Sequence, residues 1–145
     1  MQYSRPLEQG HIAHETIADP GAGNTIDYLL PNNRFYNLVS INFTFATNAV
    51  AANRHLHIDL YDAATLITSV WHPTVIAASN TTTHRATTML SIFPTVVNNL
   101  FMWPLSPVMI VPGNYTFRVD AALMDAGDTF TNIEVMTRSW VNKTV

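Results

Sequence analysis

The sequence predicts an all-β chain: a single-domain β-sandwich, jelly-roll-like, with about eight strands. Three observations lead there. Apolar and polar residues alternate with period two over several segments. Those segments are short and separated by clusters of Gly, Pro, Asn and Asp. No segment carries the 3.6-residue period of an amphipathic helix.

Taken in order, residues 1–24 read as an extended N-terminal arm, punctuated by Pro6, Gly10, Pro20, Gly21 and Gly23. Leu7, Ile12 and Ile17 are its isolated apolar anchors and are candidates for contacts with a neighbouring subunit. Residues 25–145 form the sandwich domain. Residues 26–30 predict a short strand closed by the turn Pro31-Asn32-Asn33. In residues 35–45, Val39, Ile41, Phe43 and Phe45 alternate with Ser40, Asn42 and Thr44, the pattern of a half-buried strand. Residues 46–53 connect it to a second alternating strand, 54–61, with Leu56, Ile58 and Leu60 on one face and His55, His57 and Asp59 on the other.

Residues 64–71 predict a strand stopped by Pro73, residues 74–78 an edge piece, and residues 85–93 a strand ended by Pro94. Residues 98–108 read as a loop with aromatic anchors. Within it, Phe101, Met102 and Trp103 are interface candidates, because an exposed apolar loop leaves a costly patch. Pro112-Gly113-Asn114 is a turn, followed by Tyr115, Phe117, Val119 and Ala121 in alternation. Asp125-Ala126-Gly127-Asp128 is a further turn before the closing strand at 130–140.

The chain has 145 residues, one domain's worth, and is 48% hydrophobic. It contains no cysteine, so it has no disulfide framework, thiolate metal site or cysteine nucleophile. With net charge −3 and Arg5, Arg34, Arg54, Arg85, Arg118 and Arg138 scattered, no basic patch exists to neutralise phosphates, and no nucleic-acid partner is expected. The longest apolar stretch, residues 100–112, is broken by Pro104 and Pro107 and is too short to span a bilayer, so no membrane partner is expected. Residues 1–10 lack the basic-then-apolar pattern of a secretory leader. Charged residues make up only 12% of the chain, and Lys143 is its single lysine. Protein interfaces are likewise poor in Lys, Glu and Asp and rich in aromatics and Met, so this composition points to life in an assembly.

The motif with most chemical content is His55-Leu56-His57-Ile58-Asp59, which puts two imidazoles and a carboxylate on one strand face, a ligand set suited to Zn or Fe. It is similar to the metal-binding strand of cupins. It departs from them in lacking the following Glu and the flanking glycines, for no Gly lies between Gly23 and Gly113. The expectation is therefore no metal and no cofactor, with His55, His57 and Asp59 as weak candidates and His72 and His84 as possible additions. His11 and His14 read as plain polar residues of the arm. Asp125 and Asp128 bracket a turn that offers too few oxygens for Ca²⁺. No G-x-S-x-G, P-loop or G-x-G-x-x-G occurs, and no catalytic residue is expected. Trp71, Trp103 and Trp140 suit sugar stacking as well as core or interface packing.

Three groups of residues stand out: Tyr28-Leu29-Leu30-Pro31-Asn32-Asn33-Arg34-Phe35-Tyr36; Ala49-Val50-Ala51-Ala52-Asn53-Arg54; and Pro112-Gly113-Asn114-Tyr115 with Ala126-Gly127-Asp128. In their order and spacing they resemble small all-β virion proteins of tailed bacteriophages, the capsid decoration or cement class. The resemblance spans residues 28–128 and leaves the arm uncovered. It implies a non-enzymatic structural protein of the virion, made in the host cytoplasm and placed on the outer capsid surface. There it would bind across seams of the major capsid protein and stabilise the head, as a homotrimer. Two other readings remain open: a tail or fibre β-sandwich recognising a host glycan, which needs an exposed Trp or Tyr with polar groups around it, and a cupin-like metal enzyme built on His55 and His57.

Overall fold

The computed structural model describes residues 10–32, 34–88, 95–97, 100–105 and 110–141. Among them the fold is all-β, with strands β1 (His11–Ile17), β2 (Ile26–Leu29), β3 (Arg34–Ala46), β4 (His55–Asp62), β5 (Thr65–Trp71), β6 (Thr81–Thr87), β7 (Thr95–Val97), β8 (Leu100–Pro104), β9 (Ile110–Pro112), β10 (Tyr115–Ala122) and β11 (Thr129–Val141). They form two sheets. The first runs β1-β11-β3-β6-β8-β7, with β9 also pairing β3; the second runs β2-β10-β4-β5.

The chain crosses between the sheets in jelly-roll order. The four-strand sets β1-β11-β3-β6 and β2-β10-β4-β5 hold the eight jelly-roll strands, and β7, β8 and β9 are short additions. The expected strand number therefore describes the jelly roll itself.

The period-two pattern explains the core. Ile41, Phe43 and Phe45 of β3 and Ile133 and Val135 of β11 face Leu56, Ile58 and Leu60 of β4 and Phe117, Val119 and Ala121 of β10, all buried. Phe130 stacks on Phe45 with ring centroids 4.7 Å apart and meets Phe43 edge-on at 5.6 Å. β11 pairs β3 along almost its whole length, with a register shift between Thr131 and Glu134. Asn132 takes φ 52° there, a left-handed conformation that Asn tolerates and that lets the strand bulge.

Three segments differ from expectation. Residues 11–17 do not form a free arm: β1 pairs residue for residue with β11, from His11 opposite Ser139 to Ile17 opposite Ile133. Main-chain pairing at a sheet edge needs no strict alternation, so its mixed sequence concealed it. The domain thus begins before residue 25. Residues 100–104, expected as a loop, form β8, which lies parallel to β6. Trp103 is consequently a core side chain, 1% exposed, and not a surface anchor. β6 starts at Thr81, earlier than expected, because the hydroxyls of its threonine run suit a strand with one exposed face.

The segments that carry the resemblance turn out to be pins of this fold. At one end, Leu30 N–H donates to the Tyr115 carbonyl (2.9 Å), Asn114 N–H to Leu30 (2.9 Å) and Gly113 N–H to Arg34 (2.8 Å). A side chain at Gly113 would collide with the backbone of Pro31. At the other end, Arg54 and Asp128 form an ion pair whose side chains are 0% exposed. All the guanidinium donors are used. Nε and Nη2 reach the two Asp128 oxygens at 2.8 and 3.1 Å, Nη1 reaches the carbonyls of Val50 and Ala52 at 2.8 and 2.6 Å, and Nη2 also reaches Asn48 Oδ1 at 2.7 Å.

Candidate functional site

The polar face predicted for β4 lies on the outside of the second sheet. His55, His57, Asp59 and Tyr61 follow one another along it. Register places Asp120 of β10 and Trp71 of β5 on either side of His57, and Arg118 and Ser69 on either side of Asp59. Asp59 is nearly buried. It accepts hydrogen bonds from Ser69 Oγ, from Tyr61 Oη (3.4 Å) and from His57 Nδ1 (3.0 Å). That last bond fixes the His57 ring and leaves Nε2 pointing away from the carboxylate. His55 is turned otherwise: its Nε2 donates to the His72 carbonyl.

The expected metal candidates are therefore only partly brought together. His57 and Asp59 touch, but they bond to each other, and His55 is engaged by the backbone. Among the described residues no three His, Asp or Glu side chains gather as a ligand set. His72 and His84 do not join the face. They are 1% and 0% exposed in the core, with centroids 5.3 Å apart, beside Phe101 and Trp103.

Trp71, at the end of β5, is 49% exposed. Its indole lies against both imidazoles, with centroids 4.9 Å from His55 and 4.3 Å from His57. Next to this cluster Arg118 bridges to Asp27 through two hydrogen bonds of 2.6 and 2.8 Å and sits 5.0 Å over the Tyr61 ring. The Arg118 hydrogen bond holds the Asp27 carboxyl below its ordinary value, against the opposing effect of its partial burial. Leu29, Tyr61, Ala63, Thr116 and Arg118 border an open groove of about 540 Å³. The space between the sheets near Ile58, Leu60, Val70 and Phe117 is about 20 Å³, room for one water and not for a substrate.

The other sequence candidates divide by location. Ile12 is half exposed on β1, and Ile17 packs partly against the core. Phe101 also packs inward, stacked on His84, while Met102 is partly exposed on β8. Leu7 lies outside the described residues. His14 of β1 is 3.8 Å from Glu134, an exposed pair. Asp125 and Asp128 are tied into the Arg54 cluster: Asn48 Nδ2 donates to Asp125, and the Asp125 N–H donates to Asp128 at 2.8 Å. Burial pushes the Asp128 carboxyl up, but hydrogen bonds from Arg54, Asp125 and Asn48 and the Arg54 charge outweigh it and hold it below its ordinary value.

Sequence reasoning missed the edge of this sheet. β5 is an outer strand of the second sheet, and its sequence, Thr65-Leu66-Ile67-Thr68-Ser69-Val70-Trp71, has no charge, Pro or Gly. Leu66 and Ile67 are each 51% exposed. The other long edge, β1, carries His11, His14 and Glu15, and β2 carries Asp27. The signal was present as an uncharged strand sequence, but edge position is set by topology. No family model, curated protein or solved structure matches the chain.

Proposed function

We propose that the protein is a structural component of a bacteriophage virion, a capsid decoration protein that binds the major capsid protein across its seams and stabilises the head. It acts as a homotrimer on the outer capsid surface, after synthesis in the host cytoplasm, and performs no catalysis. The observation that carries this reading is the unguarded β5 edge. Proteins that stay alone protect edge strands with charges, Pro, bulges or a covering element. β5 has no charge or Pro; its one irregularity is a register shift against β4 that leaves Ile67 unpaired, and it presents Leu66 and Ile67 half exposed. Such an edge is suited to accept a strand from a neighbouring chain, whose main-chain hydrogen bonds and alternate side chains give affinity and register.

The composition supports the same reading, with few charges to desolvate at a contact. So does the resemblance in residues 28–128. The decoration role follows physically: a subunit that spans a seam adds contact area that must be lost before the shell opens, and several linked copies gain avidity. Mixing the purified protein with capsids that lack it tests the reading. The expected result is co-sedimentation and a higher temperature of capsid disruption. Protein left in the supernatant at saturating concentration would contradict it.

A further inference from the structure

We propose that the outer face of the second sheet, centred on Trp71, is a binding subsite for a neutral carbohydrate. The argument begins with the cost of Trp71 as it stands. A large aromatic side chain left half exposed forfeits much of the hydrophobic stabilisation that burial would give it. Here it is also held in place. Two imidazoles back it, at 4.9 and 4.3 Å, and each is fixed from behind: His55 by the His72 carbonyl, His57 by Asp59. Asp59 is itself fixed by Ser69 and Tyr61. The result is a rigid aromatic platform with one side packed on protein and the other open. Preorganisation of this kind lowers the ordering cost of binding.

The groups around the platform select the ligand. A sugar ring has an apolar C–H face, which suits a flat indole, and a rim of hydroxyls, which needs donors and acceptors at the edge of the aromatic surface. With Nδ1 turned to Asp59, His57 has Nε2 left as the ring nitrogen that can hydrogen-bond a sugar hydroxyl. Asp120, across from His57 in register, supplies a carboxylate, one oxygen of which accepts from the Ala121 N–H at 2.7 Å. Tyr61 lies four residues along β4 from His57, about 13 Å at the usual strand rise. The face is thus long enough for a short oligosaccharide, and at its Tyr61 end it runs into the groove that the Arg118–Asp27 pair also lines.

Charge complementarity narrows the class further. Asp120 borders the platform, while the nearby cation Arg118 is neutralised by Asp27. Uronic, sialylated or sulfated sugars would meet the Asp120 carboxylate with no free cation from Arg118 to offset it, so neutral glycans are favoured. The face is perpendicular to the hydrogen-bonding edge of β5, so a sugar on this face and a strand at that edge would use different groups of the same strand.

Isothermal titration calorimetry of the full chain tests the proposal. The probes are cellohexaose, laminarihexaose, mannohexaose and chitohexaose as neutral ligands, and an oligogalacturonate as the anionic comparison. Saturable binding of at least one neutral probe is expected, with the anionic probe weaker. Affinity should fall about tenfold or more in Trp71→Ala, in keeping with the worth of an aromatic stacking contact plus its area. Trp71→Phe should retain part of it, and His57→Ala should lose several-fold. Melting temperatures measured in parallel separate binding loss from unfolding. Three outcomes would overturn the proposal: no neutral probe saturating at millimolar concentration, a Trp71→Ala variant with unchanged affinity, or a Trp71→Ala variant that loses oligomer mass while the wild type binds no sugar. The last would assign Trp71 to a contact with a second copy of the chain.

Discussion

Two polar clusters lie buried in this sandwich, and they are built on opposite principles. Around Arg54 every donor has an acceptor, and the ion pair with Asp128 is completed by Asn48, Val50 and Ala52. Around His84 the nitrogens are only half used. His84 Nε2 is 2.7 Å from Thr82 Oγ1 and His72 Nδ1 is 2.8 Å from the Thr74 carbonyl, but His84 Nδ1, His72 Nε2 and Trp103 Nε1 find no hydrogen-bond partner among the described residues. The imidazole of His84 instead serves as an aromatic slab, stacked between Phe43 at 5.1 Å and Phe101 at 5.2 Å. One cluster keeps charge inside by satisfying it; the other keeps polar rings inside by keeping them neutral. The first is therefore vulnerable to loss of a partner, the second to a proton.

Breaking the first cluster gives the largest effect. Asp128→Ala leaves the Arg54 guanidinium buried without its counter-ion and should cost about 3–5 kcal/mol in urea unfolding. A loss under about 1 kcal/mol would show that the cluster is not the pin it resembles.

Acid attacks the second cluster. Burial pushes His84 down to about 3, with His72 adding to the shift. Burial also lowers His72, against the Thr74 carbonyl and with help from His55. Both depart from the ordinary histidine value of 6.5. Below that value the unfolded chain binds protons that the folded chain refuses, so stability is full above it and declines as pH falls toward 3. At pH 5 the expected loss from His84 alone is about 2 kcal/mol, at about 1.4 kcal/mol per pH unit. Asp128, held low by its partners, adds to the loss only below its ordinary 3.8. Chemical denaturation between pH 7 and 5 checks this: His84→Phe, which keeps the stacked slab, should flatten the decline, and an unchanged slope would move the acid sensitivity elsewhere.

The exposed Arg118–Asp27 pair sharpens the contrast as the smallest case. Its side chains are 36% and 46% exposed, so solvent screens it, and Asp27→Asn should cost about 0.5 kcal/mol or less in the same assay.

How far the sequence could be read follows from how far each feature depends on long-range pairing. Alternation at Val39–Phe45 and Leu56–Leu60 revealed the central strands because their faces differ sharply in burial. β1 was hidden because an edge strand is held by its main chain, and β8 because Pro104 and its aromatics resembled a loop. The polar face His55-His57-Asp59 was legible, but its meeting with Trp71 and Ser69 depends on the register between β4 and β5. Arg54 and Asp128 were visible only as members of separate motifs, because the bond that joins them spans 74 residues. Those motifs describe how the sandwich is pinned. The surfaces proposed to act, the β5 edge and the Trp71 face, are assembled by topology.

The account's central claim is that the β5 edge is made to be joined. Light scattering on the wild type and on the Leu66→Lys/Ile67→Lys variant tests it most directly, because charges on an edge strand block pairing while exposed positions leave the fold intact. The account predicts an oligomer, a trimer, for the wild type and, for the variant, a monomer that keeps the wild-type β-sheet circular dichroism and still unfolds cooperatively. A monomeric wild type, or a variant that keeps the wild-type mass, would contradict it.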